Sequence, residues 1–181
     1  AVCSLFTPFS RVLPYFFFLM IRRPPRSTPF PTRRSSDPGE QASRPYRLHV
    51  ASQLAEAVDS VYAISRDAKI IIAGDFNDYA DSPALQHLYE HHLINISADA
   101  QGSHGAKATY RWHGEWRSLD QILCSPSLAA RKQSSVIGDL PFLLEDDEKY
   151  GGKKPYRTYL GPRYLGGYSD HLPLVVQFSS H

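Results

Sequence analysis

The chain has 181 residues, enough for one ordinary domain and too few for two comfortable ones. Its 42% hydrophobic and 12% aromatic content excludes a wholly disordered chain, and two cysteines, Cys3 and Cys124, exclude a disulfide framework and a four-cysteine zinc site. The formal charge of +2 hides a split, with residues 1–47 at +6 and residues 48–181 at −4, which argues against a broad phosphate-binding basic face but not against a metal-assisted phosphate enzyme.

Residues 1–37 read apart from the rest. Val12 to Ile21 is apolar except at Pro14 and Tyr15, and it is too short for a membrane helix of about 20 residues. Arg22, Arg23 and Arg26 follow that run, whereas a secretory signal carries its charge before it. The stretch FFFLMIRRPPRSTPFPTRRSSD resembles translated sequencing-adapter read-through. The expectation is a spurious or disordered leader over 1–37, a domain over 38–181 and no transmembrane segment.

From Arg44 the chain takes on the periodicity of a folded protein. Val50, Leu54, Val58, Val61 and Tyr62 mark one face of an amphipathic helix. Ile70 to Ala73 is a continuous apolar run ending at Gly74, which suits a strand buried on both sides. Ser82 before Pro83 predicts a helix start, with Leu85, Leu88 and Tyr89 turned inward. Residues 108–112 and 118–124 read as a strand pair across His113-Gly114, residues 144–167 as a long loop, and Leu172 to Phe178 as a last strand. This mixture predicts an α/β or α+β fold.

Three short segments hold residues suited to chemistry. Gly74-Asp75-Phe76-Asn77 follows the buried strand, so the glycine turn presents a carboxylate and an amide at the strand's end. Asp170-His171 precedes the final strand, where it can bind a metal and hydrogen-bond a phosphoryl group. Asp120 sits between Leu119 and Ile122; a carboxylate in an apolar strand wants a partner, and His171 is the natural one. Each segment alone has an ordinary structural reading, as a turn, a surface histidine or a solvent-facing side chain.

Taken together, GDFN at 74–77, LDQI at 119–122 and SDH at 169–171 resemble, in order and rough spacing, the endonuclease/exonuclease/phosphatase superfamily. That group includes deoxyribonuclease I-like nucleases, apurinic endonucleases, sphingomyelinases and inositol polyphosphate 5-phosphatases. The longer stretches IIAGDFNDYADSPAL, ATYRWHGEWRSLDQI and RTYLGPRYLGGYSDHLPL are similar to one bacterial subfamily, from about Gly39 to Phe178.

The resemblance implies a metal-dependent phosphoester hydrolase using in-line attack of an activated water. By it, Asp75 positions or deprotonates the water, and Asn77 hydrogen-bonds the phosphate and Asp75. Asp120 orients His171, His171 contacts the phosphoryl oxygen, and Asp170 joins the metal cluster. Oxygen ligands imply Mg²⁺ or Mn²⁺. The implied substrate is a phosphoester, either nucleic acid or a small or lipid phosphodiester, and no protein partner is implied.

The family's early Asn, principal metal-binding Glu and further catalytic His have no counterpart in residues 1–38, which contain no Glu, Asn or His. The expected architecture is therefore half of a two-sheet α/β sandwich of deoxyribonuclease I-like type with its N-terminal half missing, and the expected fragment is inactive and poorly stable. The competing reading is a non-catalytic binding or structural relic of the same fold. Gln121, where 5-phosphatases carry Arg, counts against that branch.

Other features read as structural. His87 and His91 lack a metalloprotease Glu at position 88. Glu145 to Glu148 reads as a solvated loop, Gly151-Gly152-Lys153-Lys154 lacks the context of a phosphate loop, and Asn95-Ile96-Ser97 only formally fits a glycosylation acceptor.

Overall fold

A computed structural model of the chain describes residues 15–18 and 38–179. The segment set apart in the sequence contributes one described element, strand β1 (Tyr15–Phe18); the rest of the leader lies outside the described residues. Helix α1 (Pro38–Ile64) buries Ala51, Leu54, Ala55 and Val58, with Val61 and Tyr62 packed beside them. Val50 stays exposed, because the buried stripe centres one residue further along the helix. The helix also starts well before Arg44, with Pro45 inside its exposed first turns, where a missing N–H costs least.

Strand β2 (Ile70–Asp75) packs Ile70 and Ile72 against α1 and leaves Ile71 and Ala73 half-buried. The expectation of burial on both faces is thus corrected to one full face and one partial face. Ser82 caps helix α2 (Pro83–Glu90), its hydroxyl accepting from Leu85 N–H at 3.3 Å, and Leu85 and Leu88 close the same core. Strand β3 (Ile94–Asn95) follows.

The strand pairing differs from the sequence expectation. Strand β4 (Tyr110–Trp112) pairs with β5 (Glu115–Arg117), leaving β6 (Asp120–Cys124) to join β2 and β3. The turn decides this: His113 and Gly114 adopt φ of 49° and 85°, which closes a two-residue hairpin directly after Trp112. The main sheet runs β1-β2-β6-β3, with β1 parallel to β2 and the other pairs antiparallel.

A short helix α3 (Pro126–Ala129) leads to β7 (Lys132–Ile137), a strand the sequence reading did not anticipate. The expected long loop contains two hairpins. Strand β8 (Leu144–Asp146) pairs with β9 (Lys153–Pro155), and β10 (Tyr159–Leu160) pairs with β11 (Arg163–Tyr164). The last strand, β12 (Leu174–Phe178), pairs with β7. Val176 and Phe178 pack with Ile71 and Ile122 around Ile96, Cys124 and Leu128, partly covering the second face of the main sheet. The fold is α+β. Among the described residues no helix is long and apolar enough to cross a membrane.

Candidate active site

Asp75 and Asp120 stand opposite each other at the ends of β2 and β6. The pairing extends one step further, with Phe76 N–H donating to Leu119 O at 2.9 Å and the Phe76 ring buried in the core. That anchor makes the chain turn at Asn77, whose φ is 49°. Asn77 N–H then donates to Asp75 Oδ1 at 2.9 Å and its Nδ2 to Oδ2 at 3.3 Å, an Asx-type turn that holds the Asp75 carboxylate still.

His171 arrives from the other end of the chain. Leu172 N–H donates to Thr109 O at 2.7 Å, and a backbone bridge joins Tyr110 to His171. The ring's Nδ1 lies 2.6 Å from Asp120 Oδ2. An ionised carboxylate only accepts, so Nδ1 carries the proton and Nε2 is the ring nitrogen not committed to Asp120. Burial alone would lower the His171 pKa, but the bond to Asp120 and the charges of Asp120, Asp75 and Asp170 outweigh it and raise the pKa above its ordinary value.

Asp75, Asp120 and His171 each offer a ligand atom, and these atoms all lie within 4.8 Å of one another. Asn77 joins them through Asp75. Asp170 neighbours His171 in the chain and acts on it electrostatically, but it is outside that group of three. Two carboxylates with a third nearby form a hard oxygen donor set, which fits a Mg²⁺-type cation. The imidazole fits it less well, since its Nδ1 proton is committed to Asp120 and the raised pKa favours the protonated, non-ligating form.

Sequence reasoning missed Thr109. Its buried hydroxyl donates to Asp120 Oδ2 at 2.5 Å, the same oxygen that receives His171. Two donors on one oxygen fix the carboxylate's rotation, and with it the imidazole. The alternation of ATYRW separates Thr109 from Tyr110, but which side meets His171 depends on the backbone bridge between Tyr110 and His171, two residues far apart in the chain.

Other predicted features fall outside the site. Gln121 is buried on the opposite side of β6 from Asp120, bonded to Asn95 at 2.8 Å and Ser118 O at 2.8 Å. Its identity is therefore explained by packing. The same bond engages Asn95 of the formal glycosylation triplet. His91 meets Asp59 at 2.8 Å and His87 meets Glu90 at 3.5 Å on the α2 surface. Asp147 corrects the solvated-loop expectation: it is buried and organises its turn, accepting from Lys149 and Tyr150 N–H.

Comparison with known proteins gives a family match and distant structural likenesses. A family model described as endonuclease/exonuclease/phosphatase family matches residues 30–180. No curated protein matches. The chain is similar to a solved endonuclease/exonuclease/phosphatase family protein from Bacteroides thetaiotaomicron, at 17% identity and TM-score 0.47 over 72% of this chain and 44% of that one. A functionally unknown conserved protein from Enterococcus faecalis V583 aligns at 19% identity and TM-score 0.44, over 76% and 46%. Staphylococcus aureus beta toxin aligns at 17% identity and TM-score 0.47, over 82% and 50%. The chain thus spans half or less of the length of these solved proteins.

Proposed function

The chain belongs to the endonuclease/exonuclease/phosphatase family, and on that premise we propose that it supplies part of the active site of a metal-dependent phosphoester hydrolase, a nuclease or phosphodiesterase. The observation that carries the reading is the meeting of Asp75, Asp120 and His171, three side chains from distant segments, with donor atoms within 4.8 Å. The activity is proposed for a protein containing the whole family fold, since the chain spans half or less of its solved neighbours.

In this reading Asp75 orients the attacking water and accepts its proton, held in place by the two bonds from Asn77. A further amide proton of Asn77 donates to the phosphate. His171 donates from Nε2 to a phosphoryl oxygen as charge builds there, and its raised pKa favours the form that carries that proton. Asp120, steadied by Thr109, fixes the ring and offsets its charge. A divalent cation such as Mg²⁺ or Mn²⁺, held by Asp75 and Asp170, would supply charge neutralisation when bound.

The test is hydrolysis of a phosphodiester by a form carrying the full family fold, with and without Mg²⁺. Asp75→Ala and His171→Ala are each expected to lower kcat by about 10²–10⁴-fold with circular dichroism unchanged. Unchanged kcat in both variants would refute the roles.

A further inference from the structure

The Asp75–Asn77 turn is open at its tip and clamped on its flanks. Asn77 is exposed and carries a left-handed backbone with φ of 49°, while Phe76 before it and Asp78 after it are buried. Phe76 is held by apolar contact in the core. Asp78 is held by charge. Arg47 of α1 donates from Nε to Asp78 Oδ2 at 2.9 Å, and the two side chains are only 15% and 8% exposed. The guanidinium is steadied by Ser43, one turn earlier on the same helix, whose hydroxyl accepts from Nη1 at 2.6 Å. A second tie reaches β6. Gln121 Nε2 donates to Asp78 O at 3.3 Å, and Gln121 directly follows Asp120. Asp78 thus stands three residues after one carboxylate of the site and bonds the chain neighbour of the other.

Stability gives no reason for a charge at position 78. Buried carboxylates are costly and occur paired, and packed apolar side chains in place of a buried ion pair are often neutral or stabilising. What the pair adds to apolar contact is direction, because a charge-assisted hydrogen bond has a fixed geometry. Direction matters here because Asn77 commits both its N–H and its side-chain amide to Asp75, at 2.9 Å and 3.3 Å. A turn released on its Asp78 side could leave the left-handed conformation, and the Asp75 carboxylate would lose both donors that fix its rotation.

We propose that Arg47 and Asp78 are positioning residues for the proposed hydrolysis. Both act through the turn: the ion pair sets Asn77, Asn77 sets the Asp75 carboxylate, and that carboxylate orients the attacking water. The proposal rests on the hydrolase reading for the role of Asp75. In-line attack is sensitive to placement, and a displacement of about 1 Å can cost about 10²-fold in rate. The pair should therefore act on kcat and leave KM unchanged.

Two measurements test it. In the purified chain, amide exchange at Asn77 reads the turn without any turnover. Asp78→Ala is expected to speed exchange at Asn77 by at least about tenfold while the β2 amides keep their rates. In a form carrying the full family fold, the same variant is expected to lower kcat on a phosphodiester with Mg²⁺ by about 10²-fold at unchanged KM. Asp78→Asn, which keeps an accepting oxygen for Arg47, should recover most of that loss. The double variant Arg47→Met/Asp78→Leu separates positioning from stability, and it also serves should Asp78→Ala unfold. Its urea midpoint should match the wild type, whereas its Asn77 exchange should stay fast and its kcat low. Unchanged Asn77 exchange, unchanged kcat in Asp78→Ala, or wild-type kcat in the double variant would overturn the proposal. Failure of the hydrolase reading would show separately, as faster Asn77 exchange in Asp78→Ala while the wild-type full fold turns over no phosphodiester.

Discussion

The layer built from α1, α2, β2 and β6 buries side chains that are nearly all apolar, Ile70, Ile72, Leu85, Leu88 and Leu123 among them. The lobe formed by residues 101–117 and 137–172 has a small apolar cluster and is tied instead by buried polar side chains, Thr109, Arg111, Asp139 and Asp147. Asp139 accepts from three donors of one loop, Ser103 N–H at 2.9 Å, His104 N–H at 2.6 Å and Ala106 N–H at 3.1 Å. Arg111 donates to Lys153 O and, at 2.7 Å, to Gly151 O, with Asp147 at 3.8 Å. Apolar contact is non-directional and tolerates small shifts. Buried hydrogen bonds require particular partners, and they can therefore hold irregular chain in one shape. The candidate site lies on the seam, with Asp75 and Asp120 from the layer and His171 from the lobe.

The contrast is tested most strongly in the layer. Ile72→Ala removes a fully buried side chain between sheet and helices and is expected to cost about 2–5 kcal/mol by urea denaturation. Val136→Ala, at a 44% exposed position of β7, should stay within about 0.5 kcal/mol. Similar losses in both variants would show that the layer is not the dominant core.

Asp139→Ala is the matching change in the lobe. It leaves three loop N–H groups without their acceptor, that of Ala106 at a buried residue, and is expected to cost about 1–3 kcal/mol. Asp139→Asn, which keeps one accepting oxygen, should cost less. The same residue predicts a pH dependence. Burial raises its pKa, but the donors from Ala106, His104 and Ser103 outweigh burial and bring the folded value below the ordinary 3.8. The contribution is therefore fully present above 3.8 and is lost as pH falls through the lower folded value. Acid unfolding of the wild type relative to Asp139→Asn should show a stability difference that shrinks over that window; a constant difference would exclude the linkage.

The smallest effect expected is Ser82→Ala. It removes the hydroxyl that caps α2 and should cost about 1 kcal/mol, visible as a small shift in the denaturation midpoint. A loss approaching that of Ile72→Ala would mean that α2 depends on its cap more than on the packing of Leu85 and Leu88.

Local patterns in the chain determined the α1 stripe, the Ile70–Ala73 strand and the Ser82 cap, because each is written within a few residues by period or by capping chemistry. The three motif segments were legible for the same reason, and so was a partnership for Asp120, since a carboxylate among apolar neighbours needs one. Tertiary structure alone decided that β4 pairs with β5, that Thr109 steadies Asp120, and that Arg111 closes a turn at Lys153, 42 residues away. It also decided that Tyr110 stacks on His171 rather than entering a core. Those outcomes rest on single directional contacts between distant segments, and a contact of that kind leaves no period in the sequence: it exists only once the apolar layer has folded and brought the partners within hydrogen-bonding reach.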